Sequence, residues 1–353
     1  MTQNKRFEQR LENIPAAVWS KLSQIDELKG RWIAGAQLNP QVLGRLKRSV
    51  LVTSTGASTR IEGAKLSDED VEKLVRGLSM QKFMDRDKQE VKGYYELLEN
   101  VFDSWRHIGF GENVIKHFHK ELLKYTGKDE LHRGEYKKKE NTVKMVDADG
   151  KPIATLFETT PAYLTPKEML ELTEWTKAAL EERKYPPLLI IGNFIVEFLN
   201  IHPFEDGNGR LSRILTNLLL LKEGYLYMPY TSHEKLVEDN KADYYLALRK
   251  SQKTIKTKRE DISPWLDFFL TAFLKQSIMA VELLSQENIE KILSGKQLAI
   301  WQYLQTVRDA SPGEMAKATK VARPTVNQAL DKLLRLKRIE RIGLGRSTRY
   351  RKI

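Results

Sequence analysis

The 353-residue chain contains no cysteine and carries a formal charge of +12. The absence of cysteine excludes a disulfide framework and a thiolate metal site, and no uncharged apolar run reaches the roughly 18 to 20 residues that a membrane span needs. The length allows two or three domains with cores of their own, the amino terminus lacks a signal-peptide apolar region, and a cytoplasmic protein with no membrane partner is expected.

The charge is unevenly spread. Residues 290 to 353 hold 15 Lys and Arg against 5 Asp and Glu, so +10 of the total sits in the last fifth and points to an acidic partner there.

In chain order, the first predicted helix runs from Ala16 to Leu28 and ends in a loop, Lys29 to Trp32. A second is helical in period from Leu43 to Thr55 and leads into Gly56 to Gly63, which contains Ser58, Glu62 and Gly63. Ser67 and Asp70 then form a capping-box variant that opens a helix through Leu78. Two amphipathic helices follow, Gln89 to Trp105 and Glu112 to Tyr125. His117 and His119 lie two residues apart and so on different faces, which argues against a metal pair; both are expected as surface or core residues.

From Gly134 to Tyr163 the texture changes. Thr142 to Val146, a turn at Asp147 to Gly150, and Pro152 to Phe157 read as a β-hairpin in an otherwise helical chain.

The most informative stretch is His202-Pro-Phe204-Glu-Asp206-Gly207-Asn208-Gly209-Arg210-Leu-Ser-Arg213. Before it, Leu188 to Ile201 is almost wholly apolar, a helix buried on most sides; after it, Leu211 to Leu221 is apolar at helical spacing. The segment between is a tight turn joining two core helices, and a helix opening on Asp-Gly-Asn-Gly presents free amides and a positive dipole end, an anion site with two arginines beside it. A hard carboxylate at Asp206 invites a magnesium ion shared with nucleotide phosphates, and His202 faces them as a candidate general base.

Tyr225 to Pro229 closes the second core helix. Another helix, Ser232 to Lys250, contains Asn240, Tyr244 and Tyr245. After a charged loop at 253 to 262, Ser263 and Pro264 start a long helix reaching Leu293, and Gly295 marks a boundary. The tail then reads as three helices, Gln297 to Val307, Ser311 to Thr319 and Val321 to Leu336, followed by a strand pair, Ile339 to Gly343 and Ser347 to Arg351, with Leu344 to Arg346 at its tip. This is a winged helix-turn-helix pattern. Arg323, Thr325, Asn327 and Gln328 at the start of its third helix would read base edges, and Arg346 and Arg349 on the wing would meet DNA phosphates or a minor groove. A protein-docking or homodimer face is the alternative use.

The 12-residue stretch is similar at every defined position to the signature H-x-F-x-[DE]-G-N-G-R-x-x-R of Fic (filamentation induced by cAMP) domains. The resemblance implies a mainly α fold, a Fic-type helical core with a β-hairpin flap, and transfer of AMP from ATP to a Tyr, Thr or Ser hydroxyl of a target protein, self-modification included. Under it His202 deprotonates the hydroxyl, Asp206 holds Mg2+, Gly207, Asn208, Gly209 and Arg210 grip phosphates, Arg213 takes the terminal phosphate, and Phe204 anchors the turn. Intact Gly209 sets the chain apart from the kinase-like Doc branch.

Ser58, Glu62 and Gly63 resemble the family's inhibitory motif [ST]-x-x-x-E-[GN], which implies that Glu62 pairs with Arg213 where the terminal phosphate belongs. Thr155, Leu156, Phe157 and Glu158 fall on the hairpin, which in this family pairs with the target's extended segment. Asn240 and Tyr245 resemble the helix at the adenine end of the pocket. The expected organisation is an N-terminal helical region carrying the inhibitory motif at 1–110, a Fic catalytic core at 111–294 and a winged helix-turn-helix at 295–353. Two other functions share these residues: a DNA-binding regulator whose core senses nucleotide, and an enzyme that removes AMP, with Glu62 orienting water.

Overall fold

The computed structural model describes residues 5–35, 40–77, 85–146, 152–336, 338–343 and 348–353, with side chains described outside 142–146, 152–158 and 285–292. The turn expected at 147–150 and the tip expected at 344–346, with Arg346, lie outside the described residues. In order the elements are α1 (Lys5–Gln9), α2 (Ala16–Gly35), α3 (Pro40–Ile61), α4 (Asp68–Val75), α5 (Arg86–Ser104), α6 (Glu112–Leu122), β1 (Thr142–Val146), β2 (Pro152–Glu158), α7 (Thr165–Glu182), α8 (Pro187–Ile201), α9 (Asn208–Lys222), α10 (His233–Asp239), α11 (Lys241–Gln252), α12 (Ser263–Ile292), α13 (Gly295–Thr306), α14 (Pro312–Thr319), α15 (Arg323–Arg335), β3 (Ile339–Ile342) and β4 (Arg349–Lys352). The fold is mainly helical, as the sequence pattern and the resemblance both imply.

The chain divides into two compact units, residues 1–281 and 282–353. In the first, α8 is the axis. Every residue from Leu188 to Ile201 is buried, because a 15-residue helix that is apolar on all sides is stable only where neighbours cover its whole circumference. The N-terminal helical region expected at 1–110 lies within this unit. Its first helix is clamped to the axis: Arg10 donates to Asn193 Oδ1 at 3.0 Å and to Glu197 Oε2 at 2.7 Å, and Arg6 reaches Glu197 Oε1 at 2.8 Å. A carboxylate in the middle of an apolar helix is tolerable only with such cations against it.

One expectation fails. The loop predicted at Lys29 to Trp32 is instead the continuation of α2 to Gly35. Trp32 is buried and stacks on Tyr230 at 5.7 Å, and Lys29 donates to the Glu223 carbonyl at 2.6 Å. These tertiary anchors override the weak helix propensity of Gly30, about 1 kcal/mol against alanine. The capping box at Ser67 and Asp70 is formed, with Ser67 Oγ accepting from the Asp70 amide. β1 and β2 pair antiparallel, Thr142 opposite Glu158 and Val143 opposite Phe157, with register irregularities between Val143 and Lys144 and between Met145 and Val146.

The second unit has its own core, in which Ile300, Trp301, Leu304, Met315, Val326, Leu330 and Leu333 are buried together. Helix α14 opens with a full capping box, Ser311 and Glu314, and Pro312 in its first turn. β3 and β4 pair antiparallel, and Ala310 bridges to Tyr350 through two 2.9 Å backbone bonds.

Candidate active site

The site is the corner between α8 and α9. His202 ends α8 in the left-handed region, φ 52° and ψ 61°, and Gly207 precedes α9 at φ 78°. A left-handed histidine costs about 1 kcal/mol or more and persists only where the surroundings impose it. Three contacts do so. Phe204 is fully buried with its ring stacked on His119, centroids 3.8 Å apart and 12° between planes. Asn208 uses both ends of its amide on one residue, accepting from the Phe204 amide at 3.0 Å and donating to its carbonyl at 2.8 Å. His119 accepts from the Gly134 amide at Nδ1, 2.9 Å, which leaves the proton on Nε2 for the Asp206 carbonyl at 3.0 Å.

Asn208 and His119 both help to set this turn. Asn208 is a staple of the turn, its Oδ1 and one Nδ2 hydrogen committed to the Phe204 backbone; the amide nitrogen carries a second hydrogen, so this is compatible with the phosphate contact expected of it. His119 is a fully buried residue that sets this turn, pushed down to about 4 by burial, while His117 is exposed.

His202 is also held low, at about 4; burial is the main cause and Lys137 adds to it, against the Leu199 carbonyl, Glu62 and Asp206. At neutral pH its imidazole is therefore uncharged and able to accept a proton. Burial raises Asp206, yet Arg210, the Gly207 amide and Arg86 outweigh it and keep the carboxyl ionised below its usual range. Its Oδ2 accepts from Arg86 at 2.7 Å and Arg210 at 2.9 Å, and its Oδ1 from the Gly207 amide at 2.6 Å. Glu90 completes this cluster, 2.6 Å from Arg210 and 2.7 Å from Arg86.

Arg213, one turn further into α9, is buried and faces the end of α3. Its Nε donates to Ser58 Oγ at 2.7 Å, and its Nη2 to the Ser58 carbonyl at 2.9 Å and to Glu62 Oε1 at 2.7 Å. Burial opposes this guanidinium's charge, but Glu62, with Tyr244 and Tyr94, holds it above its ordinary range. The Glu62 carboxylate lies directly over the start of α9: a Cβ built on Gly209 would come within 2.2 Å of Glu62 Oε1. Gly63, at φ 105°, turns the chain away just after.

Of the other predicted residues, Tyr245 is half-buried and raised by burial and by Glu62, which puts it at the rim of this site. Asn240 donates to the Leu236 carbonyl at 2.8 Å at the joint of α10 and α11. Thr155, Leu156, Phe157 and Glu158 lie on β2, with Thr155 opposite Lys144. In the second unit Arg323, Asn327 and Gln328 are exposed on α15 and Thr325 is half-buried. Arg349 pairs with Asp309 and, at 2.9 Å, with Glu314, contacts that a phosphate would have to displace.

The residues fit a bound polyphosphate. The first-turn amides of α9 have no carbonyl within their own helix, and Arg210 Nε is buried without a hydrogen-bond partner among the described residues. The Gly209 contact shows that an anionic oxygen already sits against the helix end. Among the described residues no three His, Asp or Glu gather as a metal site. A single carboxylate suits magnesium that draws its other ligands from phosphate and water.

Residues 109–220 match the Fic/DOC family, so the chain carries a Fic domain over that segment. Among curated proteins it is similar to a probable protein adenylyltransferase of Aquifex aeolicus, 32% identical over 81 residues, covering 23% of this chain and 24% of the relative. It is also similar to a Fido domain-containing protein of Dictyostelium discoideum, 37% identical over 67 residues, covering 18% and 47%. The chain thus spans less than half the length of these relatives. A Fic family protein from Desulfovibrio desulfuricans has a similar fold over 97% of both chains, TM-score 0.62 at 24% identity. So does a Fic-domain-containing signalling protein from Bacteroides thetaiotaomicron, TM-score 0.61 at 21% identity over 74% of this chain and 97% of that one.

Residues that sequence reasoning missed are Arg86, Glu90, His119, Lys137 and Asn141. Each lies far from the signature in sequence, and no spacing rule connects them to it.

Proposed function

We propose that the protein is an adenylyltransferase that moves AMP from ATP to a hydroxyl side chain of a protein, its own chain included, and is held in check by Glu62. The carrying observation is that one turn brings together a neutral imidazole, an ionised aspartate, a helix amino terminus and two buried arginines. In the reaction, His202 takes the proton of the attacking Tyr, Thr or Ser hydroxyl, whose oxygen bonds to the α-phosphorus. The bond from that phosphorus to the bridging oxygen breaks, and pyrophosphate leaves. The α9 amides and Arg210 hold the phosphates through this displacement, with general-base help of about 10² to 10⁴-fold. Mg2+, when bound, would be held by Asp206 and would neutralise phosphate charge. Arg213 serves the terminal phosphate only after Glu62 leaves it. The hairpin at β1 and β2 offers strand pairing to the target.

The test is transfer of label from α-labelled ATP to protein. Glu62→Gly is expected to label itself and His202→Ala in that background to lose label; equal labelling by both would overturn the reading.

A second activity is supported by a separate observation, the exposed Arg323, Asn327 and Gln328 on a helix of the basic carboxy-terminal unit. It is proposed to act as a winged helix-turn-helix that binds duplex DNA, and the salt dependence of duplex binding tests it.

A further inference from the structure

Four consecutive carbonyls at the end of α8 are held by one five-residue stretch. The Lys137 ammonium donates to the Ile201 carbonyl at 3.1 Å, and the Lys137 amide to that of Pro203 at 2.9 Å. Asn141 Nδ2 reaches the Phe204 carbonyl at 2.9 Å and, more weakly, that of His202 at 3.4 Å. The left-handed backbone of His202 is thus pinned on both sides.

The same ammonium ties down the hairpin. It donates to Asn141 Oδ1 at 2.8 Å and to Thr159 Oγ1 at 2.7 Å, and the Thr159 hydroxyl lies 2.7 Å from the Asn141 carbonyl. Asn141 immediately precedes β1 and Thr159 immediately follows β2. Both roots of the hairpin and the Ile201 carbonyl, in the peptide that leads into the candidate base, therefore meet at one nitrogen.

Lys137 is 3% exposed, and all three of its acceptors are neutral oxygens. A buried cation without a paired carboxylate is a costly way to fasten a loop, since its desolvation is not offset by a close opposite charge. A neutral donor would fasten carbonyls as well; a charge adds a field.

We infer that Lys137 is a positioning residue for the reaction proposed above: it fixes the backbone at His202 and couples the hairpin to it. The charged groups facing the ammonium are Glu140 from its own segment, Glu168 from α7, and Lys256. Those facing His202 are Lys137, Glu62 from the end of α3, and Asp206. Burial brings the ammonium itself down to about 8, so it remains mostly charged at neutral pH.

The experiment uses the full chain carrying Glu62→Gly as parent. Proton NMR titration follows the His202 ring, assigned by its absence in His202→Gln, in the parent and in Lys137→Met, Lys137→Arg and Asn141→Ala. Lys137→Met is expected to raise the His202 pKa by about one unit, to move the acidic limb of the labelling rate by the same amount, and to lower kcat about 10- to 100-fold with a smaller change in KM for ATP. Lys137→Arg should keep the low value. Asn141→Ala, which keeps the charge of the ammonium but loses two carbonyl bonds and one of the ammonium's three acceptors, should lower kcat with a smaller movement of the His202 pKa than Lys137→Met gives, and it carries the positioning claim if Lys137→Met does not fold. A His202 titration in folded Lys137→Met that superimposes on the parent's, or an Asn141→Ala with unchanged kcat, would overturn the assignment. Should no variant transfer label, the proposed function fails, while the ring titration still judges the coupling.

Discussion

Arg213 and Glu62 meet at 2.7 Å across 151 positions of sequence, and the carboxylate that makes this contact also lies against the first turn of α9 at Gly209. One side chain thereby occupies two phosphate-binding features at once, an arginine fork and a helix amino terminus.

Removing that carboxylate should release both. Glu62→Gly is expected to raise self-labelling from α-labelled ATP by about 10- to 100-fold, the range of a coupling of 1 to 3 kcal/mol. Glu62→Gln, which keeps the shape and loses the charge, should fall between. Ser58→Ala removes the 2.7 Å bond to Arg213 Nε and should activate only weakly. No increase for Glu62→Gly, measured by scintillation counting of the purified protein, would dismiss inhibition by this residue. The same variant judges the opposite direction of chemistry: if wild type strips AMP from a premodified target and Glu62→Gly does not, the carboxylate orients water.

Asp206 is the expected holder of magnesium, yet its Oδ2 is shared by Arg86 and Arg210. Arg86 is half exposed, so its grip is worth little and it is the partner expected to yield. In His202→Ala protein, which removes turnover, the additional change Arg86→Gln should tighten magnesium binding in the presence of ATP by about three- to fivefold by calorimetry. Asp206→Asn should abolish the magnesium dependence of that binding. An unchanged magnesium affinity in Arg86→Gln would mean that Arg86 and the cation do not compete.

His119 and His202 share a pH consequence. Both sit at about 4 in the fold, against an ordinary value near 6.5. Between those values the unfolded chain takes up protons that the folded chain refuses. Their contribution to stability is thus fully present above about 6.5 and is lost as pH falls towards 4. Urea unfolding followed by circular dichroism should show this decline. His119→Gln should flatten it and, by losing the stacking on Phe204 and the fit of both ring bonds, should also lower stability at pH 7 by about 1 to 3 kcal/mol. A pH profile of stability identical to wild type would contradict the depressed value of His119.

Much of this was legible beforehand, for a physical reason. The α8 to α9 corner carries its whole chemistry within 12 residues, so local pattern alone exposes the buried helices, the glycine turn and the anion-binding end. The hairpin was legible because its period differs from everything around it. What escaped was contact between distant segments. Nothing near His119 in sequence announces Phe204 as its stacking partner, and nothing at Lys137 announces the carbonyls of residues 201 to 203. Asn208 shows a second role hidden behind the first: a residue beside a phosphate site also pairs the buried Phe204 backbone, which no local pattern announces. Trp32 shows burial overruling a local loop signal.

The carboxy-terminal unit offers the last test. Arg323, Asn327 and Gln328 stand exposed on α15, whereas Arg349 is bound to Asp309 and Glu314 and Arg351 to Glu340. Total charge and available charge therefore differ: a guanidinium already paired releases few DNA counterions when it approaches a phosphate. The full-length protein is expected to bind a random DNA duplex with an affinity that falls steeply between 50 and 200 mM salt. Arg323→Ala should reduce the slope of log affinity against log salt by about 0.9, the loss of one phosphate contact, while Arg349→Ala should leave it unchanged. Asn327→Ala, an uncharged change, should leave the slope alone and matter only where sequence is read. Fluorescence anisotropy with a labelled duplex measures all four proteins. Binding that is absent at 50 mM salt, or that Arg349→Ala weakens as much as Arg323→Ala, would exclude α15 as the DNA-facing helix.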